Sequence, residues 1–412
     1  MIQIKRFQNN PIVNQSIHIH GDFPDEYPSD NKSNAGSSWG TQGNLFNING
    51  PSLIHIPENV PNRLGKFYLY FAHHKGKCIR MAYSDHVEGP YTLYGPGTLH
   101  LKDSLYTTTV PIVSQDVKFA ADVAFGVEKS KVDVGLEPHI ASPDVHYDSE
   151  TKMFRMYYHG LCGNEISKFA GMQLSRVATS IDGINWKAYT EEIIKTVYLR
   201  TFKFRDEIYG LGMPGRFFRS ENGISNWKRC SSYAFKNIGM CFRHCAVHLI
   251  EEKSLLYVFF SRAGDCPERL LLSIVNLKSN DWTEWEATDP IDILKAEEEW
   301  EGSMEDVEYS MRGAVSGLNN QLRDPFIFSY DDKTYLLYSI GGEFGIGGCE
   351  IRLPKKDQHE FFINNIMKKR MKNPMSDVMY TKAGALAFQE KRVISITNAN
   401  HELKMKRVSS KI

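Results

Sequence analysis

Residues 49–56, NGPSLIHI, open with a polar step through a proline and run into a short apolar strand. KFYLYFAHH follows at residues 66–74, CIRMAYSD at 78–85 and GPYTLY at 89–94. Each run is short, rich in aromatic and β-branched residues, and bounded by Gly, Asn, Asp or Pro, which is the pattern of strands joined by tight turns. The same order returns four times. A second unit starts at Ser142-Pro143-Asp144-Val145 and continues with KMFRMYYHG (152–160) and SRVATSIDGINWKAY (175–189). A third, more worn, is RTFKF from Arg200, EIYGLGMPG from Glu207 and FFRSENGISNWKRC from Phe217. A fourth runs from Arg243-His244 through LLYVFFSR (255–262) to RLLLSIVNLKSNDWTEWE (269–286), and a fifth from Arg323-Asp324-Pro325 through TYLLYSIGGE (334–343) to GIGGCEIRL.

A four-stranded sheet cannot cover both of its own faces. Repeated around an axis, such sheets cover one another and leave no long edge exposed. Two stacked sheets would not explain why the entry step and the Ser-x-Asp-Gly turn recur. The expected fold is therefore all-β, a five-bladed β-propeller with blades at about 45–100, 142–190, 198–235, 242–290 and 322–353. Entry strands are expected near 51–56, 143–147, 200–204, 243–249 and 325–329. Residues 101–141 make a long connection of the kind that often forms a lid. Residues 354–412 are expected as a C-terminal extension packed on the propeller. Within it, EFFINNIMKKRMKN reads as a basic amphipathic helix and ALAFQEKRVISI as a strand.

Composition narrows the partners. The 412 residues carry 49 Lys+Arg and 49 Asp+Glu, so the chain lacks the broad basic surface that a phosphate backbone needs, and no nucleic acid is expected. No apolar run approaches the ~20 residues of a membrane span, and MIQIKRFQNNPIV lacks the apolar core of a signal peptide, so no membrane association is expected. Seven scattered cysteines without a CxxC point to free thiols and a cytoplasmic setting. Cys241, His244 and Cys245 lie close together, but no second ligand pair has zinc spacing, and they read as strand residues rather than a metal site. The sequence is silent on oligomeric state.

In a propeller the entry strands line the central channel, so residues far apart in sequence converge there. The candidates from entry strands are Asn49, Asp144, Arg200, Arg243, His244, Arg323 and Asp324; from the ends of second strands come His73, His74, His159 and Glu343. Carboxylates, guanidinium groups and histidines gathered in one channel fit carboxylate acid/base chemistry on a glycosidic bond. The arginine forks also match carboxylate, sulfate or phosphate on a charged sugar. Glu301, between Trp300 and Gly302, has an apolar wall that would keep a carboxyl protonated. It is assigned as general acid, with Asp144 and Asp324 as further catalytic residues. Glu343, among glycines, is assigned to substrate with the basic and amide candidates.

Pro-Asp-Val before an aromatic strand, GPY after a Ser-Asp turn, and Arg-Asp-Pro before TYLLYS together resemble the five-bladed propeller glycoside hydrolases of families 43, 32, 62, 68, 117 and 130. The likeness spans roughly residues 45–353. It implies a carbohydrate ligand and a carboxylate mechanism; no cofactor is expected. It also implies, in some relatives, a structural cation near the axis beside a histidine, a part open to His244. Those hydrolases place an Asp base on the first entry strand, where this chain has Asn49-Gly50-Pro51. That departure leaves open a base from another blade such as Asp324, a phosphorylase-type reaction, or a non-catalytic sugar-binding propeller.

Overall fold

The structure is a computed structural model that describes residues 2–23, 47–118, 134–190, 192–236, 238–315 and 317–354. Contacts gather Met1–Lys355 into one compact unit. The expected extension over 354–412, with its helix and strand, lies outside the described residues except for Pro354. Among the described residues no helix is long and apolar enough to cross a membrane.

Five antiparallel sheets form the five blades. Their entry strands are Asn49–His55, Ile140–Asp148, Val197–Phe204, Phe242–Ile250 and Arg323–Tyr330. The second strands are Phe67–Ala72, Met153–Leu161, Glu207–Met213, Leu255–Arg262 and Lys333–Ile340. Two features were not legible beforehand. Gln3–Arg6, at the N-terminus, pairs antiparallel with Gly345–Arg352 as the outermost strand of blade 5, so the two ends of the unit close the ring. His18–His20 adds a fifth, parallel strand to blade 1 beside Thr92–Tyr94.

The apolar core is divided into wedges between blades. Tyr68, Met81, Phe154 and Ala178 fill one between blades 1 and 2, and Leu211, Phe217, Leu256 and Val258 another between blades 3 and 4. The recurring Ser-x-Asx-Gly turn fastens neighbouring blades. In Ser180–Gly183 the serine Oγ accepts from Gly183 N at 2.9 Å and Asp182 Oδ1 accepts from Ile184 N at 2.8 Å. The freed Gly183 carbonyl accepts from the Tyr70 hydroxyl of blade 1. Gly183 has φ +73°, and a Cβ there would stand 2.8 Å from that hydroxyl, so glycine is needed on both counts. Blades 2 and 3 repeat the device, with Tyr157 donating to Gly223 O at 2.7 Å.

Every entry strand carries the same bulge, two residues set against one on the second strand. The paired residues flanking it are Asn49 and Ser52, Ala141 and Asp144, Val197 and Arg200, Phe242 and Cys245, and Arg323 and Phe326. Just past the bulge of blade 3, Arg200 reaches all four other blades. It donates to Pro51 O at 3.0 Å, Pro143 O at 2.6 Å and Cys245 O at 3.0 Å, and its guanidinium lies 5.1 Å from the Phe326 ring centroid. Arg200, expected as a substrate ligand, is an axial brace with every side-chain nitrogen engaged.

Removing that brace strands three inward carbonyls. Arg200→Met is expected to lower stability by about 3–5 kcal/mol, the usual cost of deleting one member of a buried charged network. Arg200→Lys should recover little, because one ammonium cannot span three blades. Equilibrium denaturation of the variants checks both; a midpoint within error of the parent for Arg200→Met contradicts the assignment.

Candidate functional site: the axial funnel

The bulges converge above Arg200. Their first residues are Gly50, Ser142, Tyr198, Arg243 and Asp324; Ser142, Tyr198 and Asp324 sit in the left-handed region at φ 53°, 55° and 46°. A non-glycine residue there is strained backbone held by its surroundings. These residues, with His244, meet at one place. His244 Nδ1 lies 2.6 Å from Asp324 Oδ1, its Nε2 lies 3.3 Å from Ser142 Oγ, and its ring centroid stands 3.7 Å from that of Tyr198. Gly50 completes the circle, with its Cβ direction ending 3.5 Å from Ser142 Cα. A neutral His244 donates from Nδ1 to the Asp324 carboxylate and accepts at Nε2 from Ser142.

A second network flanks this one. Glu268 takes Arg243 Nε at 3.2 Å on one oxygen and Arg323 Nε at 3.0 Å on the other. Arg323 Nη1 continues to Glu343 at 3.3 Å, and Glu343 meets His74 Nδ1 at 3.3 Å. Asn47 Nδ2 donates to the other Glu343 oxygen, and Asn49 Nδ2 donates to Asn47 Oδ1 at 2.8 Å. His159 joins through the rings, 4.5 Å from Tyr198 and 5.8 Å from His139.

Charge partners outweigh burial for both axial acids. Burial raises the Asp324 carboxyl, but His244, Arg243 and Arg323 together hold it well below the usual carboxylate range. Burial likewise opposes ionisation of Glu343, and His74 and Arg323 bring it down to about 2. Burial dominates elsewhere. It lowers His73 to about 3 and takes His139 and His159 well below the usual imidazole value. It lowers Lys75 to about 7 and raises Glu137, which stand near each other beside these histidines.

The funnel thus brings together Asn49, His74, His159, Arg243, His244, Arg323, Asp324 and Glu343. His73 stands at its edge, where its Nδ1 accepts from Lys75 N at 2.9 Å. Arg323 has every side-chain nitrogen bound to protein, Nη2 going to Gln321 Oε1, so it organises the site rather than meeting an anion.

Two catalytic assignments need correction. Asp144 faces away from His244. Its Oδ2 accepts from Thr201 N at 2.9 Å, Thr201 Oγ1 at 3.0 Å and His146 at 2.8 Å, while Oδ1 faces Arg200 at 3.4 Å. That is a brace between blades 2 and 3. Glu301 lies on the outer side of blade 5 and is fully buried. It closes a capping box and accepts from Arg6 Nε and Nη2, both at 2.9 Å, and from the Tyr338 hydroxyl at 2.8 Å. With both oxygens filled by donors from its own turn, Arg6 and Tyr338, it is a structural acid away from the funnel. The axial cation does not fit either: both His244 nitrogens are engaged, and the described residues contain no cluster of three or more metal-ligating side chains. Nor is the 101–141 connection simply a lid, since Ser104 and Tyr106 are buried and bonded to Tyr158 and Leu174 of blade 2; residues 119–133 lie outside the described ones.

Sequence reasoning missed Tyr198, Ser142 and Glu268. Blades 1, 2 and 5 mark the bulge with a proline (Gly50-Pro51, Ser142-Pro143, Asp324-Pro325), and the same register laid on blade 3 would have found Tyr198.

No protein-family model matches the chain. Among known proteins it is 33% identical over 334 residues to Uncharacterized protein R118 of Acanthamoeba polyphaga mimivirus, over 76% of this chain and 86% of that one. Among solved structures it is similar to the exo-β-1,3-galactanase of Phanerochaete chrysosporium, at TM-score 0.42 and 11% identity over 76% of this chain and 62% of that one. It is similar to a GH43_1 enzyme of Xanthomonas citri, at 0.45 and 11% over 74% and 87%. The GH32 β-fructofuranosidase BmSUC1 of Bombyx mori gives 0.44 and 14% over 74% and 59%. The chain spans about three fifths of the galactanase and of the fructofuranosidase.

The buried histidines set an acid limit. A group whose folded pKa lies below its unfolded value of about 6.5 stays neutral in the fold while the unfolded chain takes up a proton, so acidification favours unfolding. For His73, His139 and His159 this window opens just below pH 6.5 and, for His73, runs to about pH 3. Each contributes a slope of up to about 1.4 kcal/mol per pH unit. Glu343 adds a loss in the same direction as pH falls from its unfolded value near 4.5 to about 2. Melting temperature should therefore fall steadily from pH 7 to pH 5, and His159→Gln should flatten the fall. A profile level over that range contradicts this account.

Proposed function

The chain belongs to the family of the mimivirus protein R118, and for its axial funnel we propose a carbohydrate ligand and cleavage of a glycosidic bond with Asp324 as the ionised carboxylate. The observation that carries this reading is the Asp324–His244 pair at 2.6 Å, raised into the funnel on a strained bulge. Backbone strain concentrated on a buried acid–base pair is more costly than a purely structural contact requires. Around it stand Ser142, Tyr198, His159 and Asn49, a mixture of donors, acceptors and ring surface that suits sugar hydroxyls. Its charges are largely self-neutralised, so recognition of an anionic substituent falls to Arg243, the expected arginine still partly turned to the funnel.

Cleavage also needs a proton donor across the bond. Asp324 and Glu343 are held ionised and cannot serve at neutral pH. Glu137, just before the blade 2 entry strand, is the described carboxyl that burial pushes upward. It takes the place in this proposal that Glu301 held. A second reading, a sugar-binding propeller without turnover, is favoured by one observation: the carboxylates described at the axis are matched by cations, and neither Asp324 nor Glu343 is poised to carry a proton.

The test is turnover of neutral and uronic aryl glycosides, with and without inorganic phosphate, alongside calorimetric binding of the matching oligosaccharides. Asp324→Asn is expected to reduce kcat by roughly 10²–10⁴-fold while affinity stays within a few-fold and the fold survives by near-ultraviolet dichroism. Binding without turnover in the parent protein supports the second reading. A strict phosphate requirement moves the reaction to the phosphorylase type. No saccharide bound at all overturns both.

A further inference from the structure

A second pocket lies outside the funnel network, against the third strand of blade 2 (Gln173–Ser180). Arg176 on that strand pairs with Tyr158, whereas the next residue along, Ser175, pairs with His159. Alternation therefore turns Arg176 away from the face that His159 presents to Tyr198. Arg176 is only 5% exposed, and its guanidinium stands 5.4 Å from the Tyr106 ring centroid. Its Nε and Nη1 are buried without a hydrogen-bond partner, and among the described residues its charge is met by the Tyr106 ring and by no carboxylate within ion-pair distance. The groups around it do not supply charge: burial raises Tyr106, Tyr158 and the Cys162 thiol, the last to about 11.

Arg80, also buried, is met at least by the Asn47 carbonyl, and three other buried arginines contrast with Arg176 more fully. Arg200, Arg243 and Arg323 are each tied to a carboxylate and to backbone carbonyls. Burying a charge with neither is strongly unfavourable, and native structures avoid it unless something else meets the charge. Arg176 lines a cavity of about 430 Å³ together with Thr107, Thr108, Thr109, Glu165 and Thr190. That volume is within the range of small-molecule sites and far exceeds a bare ion. The Thr107 hydroxyl is pinned, donating to Thr109 O at 2.7 Å, which fixes the turn. The Thr108 and Thr190 side chains are exposed at the rim. Glu165 accepts from Gly163 N at 3.2 Å and does not pair with Arg176.

We propose that this pocket binds the oxyanion group of a small ligand, a carboxylate, sulfate or phosphate, with Arg176 as its charge partner and the Thr108 and Thr190 hydroxyls as donors. Nε and Nη1 are enclosed, so Arg176 meets such a group through Nη2 and its delocalised charge, and the threonines bound the remainder of the ligand. The pocket is independent of the funnel and of what the funnel binds.

The test is a titration of the full chain with sulfate, phosphate, acetate and glucuronate at constant ionic strength against chloride, read by calorimetry and by melting temperature. At least one anion should bind saturably and raise the melting temperature. Arg176→Met should lose at least tenfold in that affinity and should itself melt higher in chloride, because an unmatched buried charge has been removed. Arg243→Gln, in the funnel, should leave the affinity unchanged. Glu165→Gln should tighten binding by removing a like charge, and it gives a reading if Arg176→Met fails to fold. The proposal is overturned by any of four results. These are no saturable anion; loss of binding in Arg243→Gln with retention in Arg176→Met; an Arg176→Met protein that melts lower with an unchanged titration; and a Glu165→Gln protein that melts lower without tighter binding, which would make Glu165 the partner of Arg176.

Discussion

One guanidinium holds the axis. Five entry strands approaching a common centre bring their bulges together, and a bulge leaves backbone groups outside the ladder. Pro51 and Pro143 sit in two of these bulges, and their carbonyls, with that of Cys245, turn toward the centre, where no strand can reach them. Arg200 reaches all three and covers the fourth neighbour, Phe326, with its face. A planar fork is one of the few side chains that can address several blades from a single point. Asp144 balances that charge from blade 2 and is itself fastened by Thr201 and His146.

The electrostatics of the layer above follow from this closure. Once the bulge side chains are enclosed, their charges must be matched at short range or be lost. They are matched in a chain running from Arg243 through Glu268, Arg323 and Glu343 to His74, with His244 and Asp324 beside it. The chain crosses from blade 4 through blade 5 to blade 1, so it joins the sheets as well as tuning the site. Its cost is chemical monotony: Asp324 and Glu343 are both kept ionised, so neither holds a proton to give at neutral pH. Near it, at Lys75 and Glu137, burial outweighs the opposing charge, lowering the lysine to about 7 and raising the glutamate.

The blade pattern was legible because strand periodicity, Ser-x-Asx-Gly turns and X-Pro steps are local properties. The closing strand Gln3–Arg6 was not, since nothing local marks four residues as the outer edge of a sheet assembled some 340 residues later. Glu301 misled for a related reason. Trp300 looked like an apolar wall, but it belongs to a capped turn whose acid answers Arg6 and Tyr338. Glu268 was passed over because Cys266-Pro267-Glu268-Arg269 reads as a loop. Its role depends on two arginines, one of them 55 residues away.

Asp144 and Asp324 carry the sharpest lesson. One follows a proline, Ser142-Pro143-Asp144; the other precedes one, Asp324-Pro325. Aligned on the bulge, they lie two positions apart, and that offset sends Asp324 to His244 and Asp144 to Arg200. The same register separates the two jobs of the axis throughout. The first bulge residue (Gly50, Ser142, Tyr198, Arg243, Asp324) sets the chemistry of the funnel, while the residue just past the bulge (Ser52, Asp144, Arg200, Cys245, Phe326) builds the brace. Four of the five upper positions carry a side chain, and the fifth, Gly50, lets blade 1 approach Ser142 closely. Because closure of the ring rests on the lower set, residues in the upper set can differ from blade to blade without breaking it. That is the physical reason the repeats agree so well in their strands and so little at the site.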